Sequence, residues 1–149
     1  MRAILTDAAT NATGVLFELP HVIEEASAHA SERLTLQAGD FFRDPLPTCD
    51  AYLLMEILHD WGDEESAPIL RAIRNAAPQA ARLLVIEKIV PENPGPDWSK
   101  MLDIHMLTLL GGRQRTAQQY EDLLADAGFM LQREIDTRAG ISILDAVAA

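Results

Sequence analysis

The stretch AYLLM (residues 51–55), followed by DEESAPILRAIRN (63–75) and then LLVI (83–86), decides the fold class. Two short apolar runs flank a longer segment whose apolar residues recur at helical spacing, which is the order strand, helix, strand. A strand that returns parallel needs a crossover of this kind, so the unit predicts a largely parallel sheet and an α/β class. Asp63 stands at the helix start, where a carboxylate can cap the amides of the first turn.

The same alternation extends in both directions. Upstream, Val15-Leu16-Phe17-Glu18-Leu19 begins after Gly14 and stops at Pro20, as a buried strand would, and His21 to Ala30 reads as a helix. Arg33 to Gln37 alternates in polarity and ends at Gly39-Asp40, a second strand leading into a loop. Downstream, the prolines and glycine between Pro91 and Pro96 require a surface loop. Residues 99–110 carry Met101, Leu102, Ile104, His105, Met106, Leu109 and Leu110, a spacing that predicts a mostly buried helix ended by Gly111-Gly112. Thr116 is placed to cap a helix from Ala117 to Ala127, closed by Gly128. The runs Met130 to Asp136 and Ile141 to Val147 are joined by so short a turn that they must pair antiparallel.

Composition bounds the function. The 149 residues are 48% hydrophobic and 23% charged, the profile of a folded globular domain. A formal charge of −11 repels a phosphate backbone, so nucleic acid is not an expected partner. No run approaches the ~20 apolar residues that span a bilayer, and the first residues lack the pattern of a secretory signal. Cys49 is the only cysteine, which excludes an intrachain disulfide and a cysteine-based zinc cluster and fits a cytoplasmic setting.

Several residues sit where the strands of an open α/β sheet finish, the edge at which ligands of such sheets bind. Glu18 ends the first strand, where a carboxylate can accept both hydroxyls of a ribose; a solvated strand-end acid is an equal reading. Gly39-Asp40-Phe41-Phe42 offers a carboxylate beside two aromatic faces, suited to an adenine ring, although packing accounts for at least one phenylalanine. His59-Asp60-Trp61 follows the third strand, and histidine is the side chain best able to exchange a proton near neutral pH. A histidine satisfied within its loop is the commoner reading when spacing is all there is. Glu87 ends the fourth strand, where it can orient an imidazole or join a salt bridge. His21, His29 and His105 show no regular ligand spacing, so no metal site is expected.

Taken in order, Leu16-Phe17-Glu18-Leu19-Pro20, Gly39-Asp40-Phe41-Phe42, Ile57-Leu58-His59-Asp60-Trp61, Glu87 before Pro91, and Gly111-Gly112-Arg113-Gln114-Arg115-Thr116 resemble the caffeic acid and hydroxyindole O-methyltransferases of plants and bacteria. Five motifs in the right order reverse the odds on His59. The resemblance implies a Rossmann-like class I methyltransferase sheet, mostly parallel with a C-terminal antiparallel hairpin, forming one partial domain over residues 1–149. It implies transfer of a methyl group from S-adenosyl-L-methionine to a hydroxyl of a small, aromatic acceptor. By the same resemblance His59 is the base and Glu87 orients it. Glu18 holds the ribose, Asp40 and Phe41 flank the adenine, and Asp103 with Met106 lies toward the acceptor. A non-catalytic remnant serving as an interaction module is the alternative.

The sequence departs from that family at three points. Gln114 stands where a second glutamate belongs in the catalytic set, and Met55 stands where a cofactor-approaching lysine is common. The third departure is that the family's first strand and glycine-rich loop are expected upstream of Met1, with Met1 to Gly14 resembling the helix after that loop. The dimerisation domain is expected further upstream still, which leaves homo-oligomer formation open. In this fold the missing strand lies between those at 15–19 and 51–55. Both neighbours then lack a ladder, at a cost on the order of 1–3 kcal/mol per unpaired buried group. The isolated chain is therefore expected either to repair the gap with another segment or chain, or to be marginal and prone to aggregate.

Overall fold

Valine, leucine and phenylalanine set side by side favour extended backbone, and in the computed structural model, which describes residues 2–149, they form six strands. The chain divides into two compact units, residues 1–47 and 48–149.

In the first unit, β1 (Gly14–Glu18) and β2 (Leu34–Ala38) pair in parallel, with Glu18 opposite Ala38. Their crossover is α1 (Pro20–Ala26), which carries proline in its first turn, where the missing N–H costs no helical bond. The helix is shorter than His21 to Ala30: it tightens into a 3₁₀ turn, Ser27–His29. Within the stretch expected to be helical from Met1 to Gly14, the structure has a short π-helical segment, Ile4–Ala8; Met1 lies outside the described residues.

The second unit holds β3 (Ala51–Met55), β4 (Arg82–Glu87), β5 (Phe129–Asp136) and β6 (Ser142–Ala148) in one sheet of order β3-β4-β6-β5. β3 and β4 are parallel, while β6 runs antiparallel to both β4 and β5, as the expected hairpin requires. Among the described residues β1 pairs only with β2 and β3 only with β4, so each of the two strands expected to lack a ladder has a single partner.

Alternation on β4 buries Leu83, Val85 and Glu87 on one face. α4 (Ala117–Asp126), which buries Tyr120, Leu123 and Leu124, packs on β5, and α2 (Asp63–Ala76), which buries Ser66, Ile69, Leu70 and Ile73 at helical spacing, packs on α4. The N-terminus of α4 is a complete capping box: Gln119 N donates to Thr116 Oγ1 and Thr116 N to Gln119 Oε1.

Two expectations need correction. Gly62, not Asp63, is the N-cap of α2, because the Asp63 carboxylate is taken by Arg113 and Arg115. Helix α3 (Trp98–Leu109) forms as expected but is not mostly buried: Trp98, Met101, Ile104, Leu107 and Leu109 are all at least half exposed. Its apolar residues run nearly all the way round, and such a pattern announces a helix without saying which faces find partners.

Candidate functional site

β3 delivers the chain to the sheet edge at Met55, and there the backbone turns. Glu56 adopts a left-handed φ of 52°, a conformation costly for any residue with a Cβ, and its carboxylate accepts from Lys88 Nζ at 2.9 Å. That ion pair lowers the Glu56 pKa from its ordinary value. The 3₁₀ turn Leu58–Asp60 follows and carries His59.

The turn is held from both of its polar sides. On the amide side, the fully buried Glu87 carboxylate accepts through Oε1 from the N–H groups of Ile57 (3.1 Å), Leu58 (2.9 Å) and His59 (3.4 Å). Three oriented amides solvate a charge that burial would otherwise penalise. On the carbonyl side, the fully buried Arg115 donates to Leu58 O at 2.8 Å and Trp61 O at 2.9 Å, and also to Ser66 Oγ and Asp63 Oδ1. Its guanidinium lies 5.7 Å from the Tyr120 ring centroid. Gly112 seals this side, because a Cβ there would collide with the carbonyl groups of His59 and Asp60.

The second oxygen of Glu87, Oε2, lies 2.7 Å from His59 Nδ1, and Asp60 Oδ1 lies 3.3 Å from Nε2. With Nδ1–H donating to Glu87, the neutral ring presents its lone pair at Nε2, the form a proton acceptor requires. The hydrogen bond to Glu87 raises the His59 pKa above its ordinary value, against a smaller opposing effect of burial, and the charges of Glu87, Asp60 and Glu56 add to the rise. Burial in turn raises the Asp60 pKa. The imidazole is only 12% exposed yet has a carboxylate at each nitrogen, so the cation that forms when it takes up a proton is stabilised where it stands.

The remaining sequence-identified residues fall into three groups. Asp103, on α3, accepts from Gln114 N at 2.7 Å, which ties that helix to the segment leading into Arg115. Gln114 is 3% exposed, and neither side-chain atom has a hydrogen-bond partner, so its amide does not contact His59 by a hydrogen bond. Met106 is half-buried on α3, and Met55 is 59% exposed at the end of β3. In the first unit, Glu18 and Asp40 lie at the same end of the β1–β2 pair, since Gly39 N donates to Glu18 O. Asp40 Oδ1 accepts from Phe42 N at 2.9 Å, and the Phe41 and Phe42 rings meet edge-on at 4.8 Å. At Gly39 the Phe17 ring lies where a Cβ would stand.

Sequence reasoning assigned no part to Arg115, the largest fully buried side chain. The signal was available: an arginine inside a glycine-led motif, with Asp63 and Gly112 both needing an explanation.

The O-methyltransferase domain model matches residues 3–130. The phenazine O-methyltransferase PhzM of Lysobacter antibioticus is 41% identical over 140 residues, covering 91% of this chain and 41% of that protein. The 8-amino-8-demethylriboflavin N,N-dimethyltransferase of Streptomyces davaonensis is 42% identical over 137 residues, covering 87% of this chain and 38% of its own length. The crystal structure of human N-acetylserotonin methyltransferase in complex with SAM superposes with a TM-score of 0.84 at 33% identity, covering 91% of this chain and 40% of that one. The chain thus spans about two-fifths of the length of the relatives it matches.

Proposed function

The chain belongs to the O-methyltransferase domain family, and from that premise we propose that it carries the methyl-transfer centre of an S-adenosyl-L-methionine-dependent O-methyltransferase acting on a small hydroxylated, aromatic acceptor in the cytoplasm. The observation that carries the reading is the His59–Glu87 pair, 2.7 Å apart at Nδ1, on a turn bonded on both sides.

A neutral phenol is a weak nucleophile, so the reaction gains most from a positioned base. His59 Nε2 takes the hydroxyl proton of the acceptor. Glu87 keeps Nδ1 protonated and balances the imidazolium that results, while Asp60 stands beside Nε2 to steady the same charge. The turn contributes by not moving: its bonds to Glu87 and Arg115 fix the ring before the acceptor arrives, which is where positioning supplies rate. S-adenosyl-L-methionine, when bound, supplies an electrophilic methyl group on a cationic sulfur. Glu18, Asp40 and Phe41 of the first unit are the residues that would hold its nucleoside, and Met55 of the second unit is assigned to the cofactor by the family resemblance alone. Asp103, Met106 and Gln114 flank the acceptor side. The whole of residues 1–149 is then one partial methyltransferase domain.

Calorimetric titration with S-adenosylhomocysteine, paired with transfer of labelled methyl to hydroxylated aromatics, tests the reading. Binding is expected, and His59→Ala should lower turnover at least ~100-fold with cofactor affinity nearly constant. Near-normal turnover in that variant would remove His59 from the mechanism. A second reading, a non-catalytic remnant or interaction module, is favoured by Gln114, which stands where the resembled family has a glutamate and makes no hydrogen bond to His59. No heat at millimolar cofactor would leave that one standing.

A further inference from the structure

Gln114 lies in the segment that packs on the His59 turn, and its side-chain amide, like the buried Tyr120 hydroxyl, has no hydrogen-bond partner among the described residues. The carboxylate of Glu87, the guanidinium of Arg115 and the carboxylate of Asp103 are all engaged in hydrogen bonds. Gln114 is 3% exposed, yet both its amide nitrogen and its amide oxygen lack a partner. Its backbone is anchored: the N–H goes to Asp103, and the residues around it, Gly112 and Arg115, pack on the His59 turn. A fixed backbone, a buried side chain and two orphaned atoms of opposite hydrogen-bonding sense describe a group awaiting a complementary ligand rather than one serving the fold.

Resting on the function proposed above, we infer that Gln114 is a specificity-determining residue that recognises acceptors carrying a donor and an acceptor side by side, as in the N–H and C=O edge of a lactam. A carboxamide pairs with such an edge through two parallel hydrogen bonds: the ligand N–H donates to Oε1, and Nε2–H donates to the ligand carbonyl. One ligand edge satisfies both atoms at once. A ring bearing only a hydroxyl leaves at least one of them buried and unpaired, and a site built around such a pair rejects that analogue strongly.

The test uses the intact chain labelled with ¹⁵N, titrated with 3-hydroxy-2-pyridone, which has the lactam edge, and with phenol, which lacks it. The Gln114 side-chain NH₂ signals, identified by their absence in Gln114→Leu, should move downfield with the pyridone and not with phenol. In Gln114→Leu and Gln114→Met the pyridone-to-phenol affinity ratio should fall at least ~10-fold. Two apolar replacements of similar length guard against one that packs badly. Unmoved NH₂ signals at millimolar pyridone, or an unchanged pyridone-to-phenol preference in both variants, would overturn the inference. S-adenosylhomocysteine binding, measured separately, judges the methyl-transfer reading and does not depend on Gln114.

Discussion

The turn at residues 57–61 and helix α3 stand in opposite relations to their own sequences. The turn has no repeating pattern and little regular structure, yet Glu87 takes up its amides and Arg115 its carbonyls. The helix satisfies its backbone internally and is capped by Asp97 through Ser99 N, yet it exposes most of its large apolar side chains. One segment is rigid because of what surrounds it; the other is regular because of what it is made of. The conformation of the His59 turn is therefore fixed by residues distant in sequence, and local propensity contributes little to it.

Breaking the turn should have the largest effect. Glu87→Ala or Arg115→Ala leaves buried charges and carbonyls uncompensated and should lower the free energy of unfolding by about 3–5 kcal/mol in urea titrations. A loss below ~1 kcal/mol in both variants would mean that the turn holds itself.

Glu87→Gln cuts less deeply. The amide keeps the size and one acceptor oxygen but cannot balance the imidazolium, so the His59 pKa should fall back toward its ordinary value. Because the folded pKa is raised, the pair contributes stability that is fully present below the unfolded value of about 6.5 and lost as pH rises through the folded pKa. Ring-proton NMR titration and stability against pH should both show the window narrowing in the variant. An unshifted His59 titration would detach Glu87 from the ring's charge.

Thr116→Ala removes one half of the capping box and should cost about 1 kcal/mol, visible as a lower urea midpoint at constant slope. Smallest of all should be Leu107→Lys on the exposed face of α3, within roughly 0.5 kcal/mol of the parent. A loss of several kcal/mol there would show that the helix packs after all and would erase the contrast.

The same contrast explains which features were legible in the sequence. Strands, crossover helices, the C-terminal hairpin and the Thr116 cap were legible because each is specified by neighbours within a few residues. His59 and Glu87 were identified through motif order and strand ends, and the structure joins them. Arg115 was missed because its partners lie 49 to 57 residues away, at Asp63, Ser66 and Leu58, and no local pattern marks such a partner. The Asp63 cap failed for the same reason, its carboxylate being claimed by those arginines. For α3, periodicity told of a helix and was silent about its neighbours.

Glu87 is the last residue of β4, paired with Ser142 across the ladder, and strand side chains alternate between faces. A slip of β4 by one residue would bring Ile86 or Lys88 to the spot beneath the turn, and neither can receive three amide protons and an imidazole. Assembly of the sheet in register and placement of the His59 ring against Glu87 are consequently a single event.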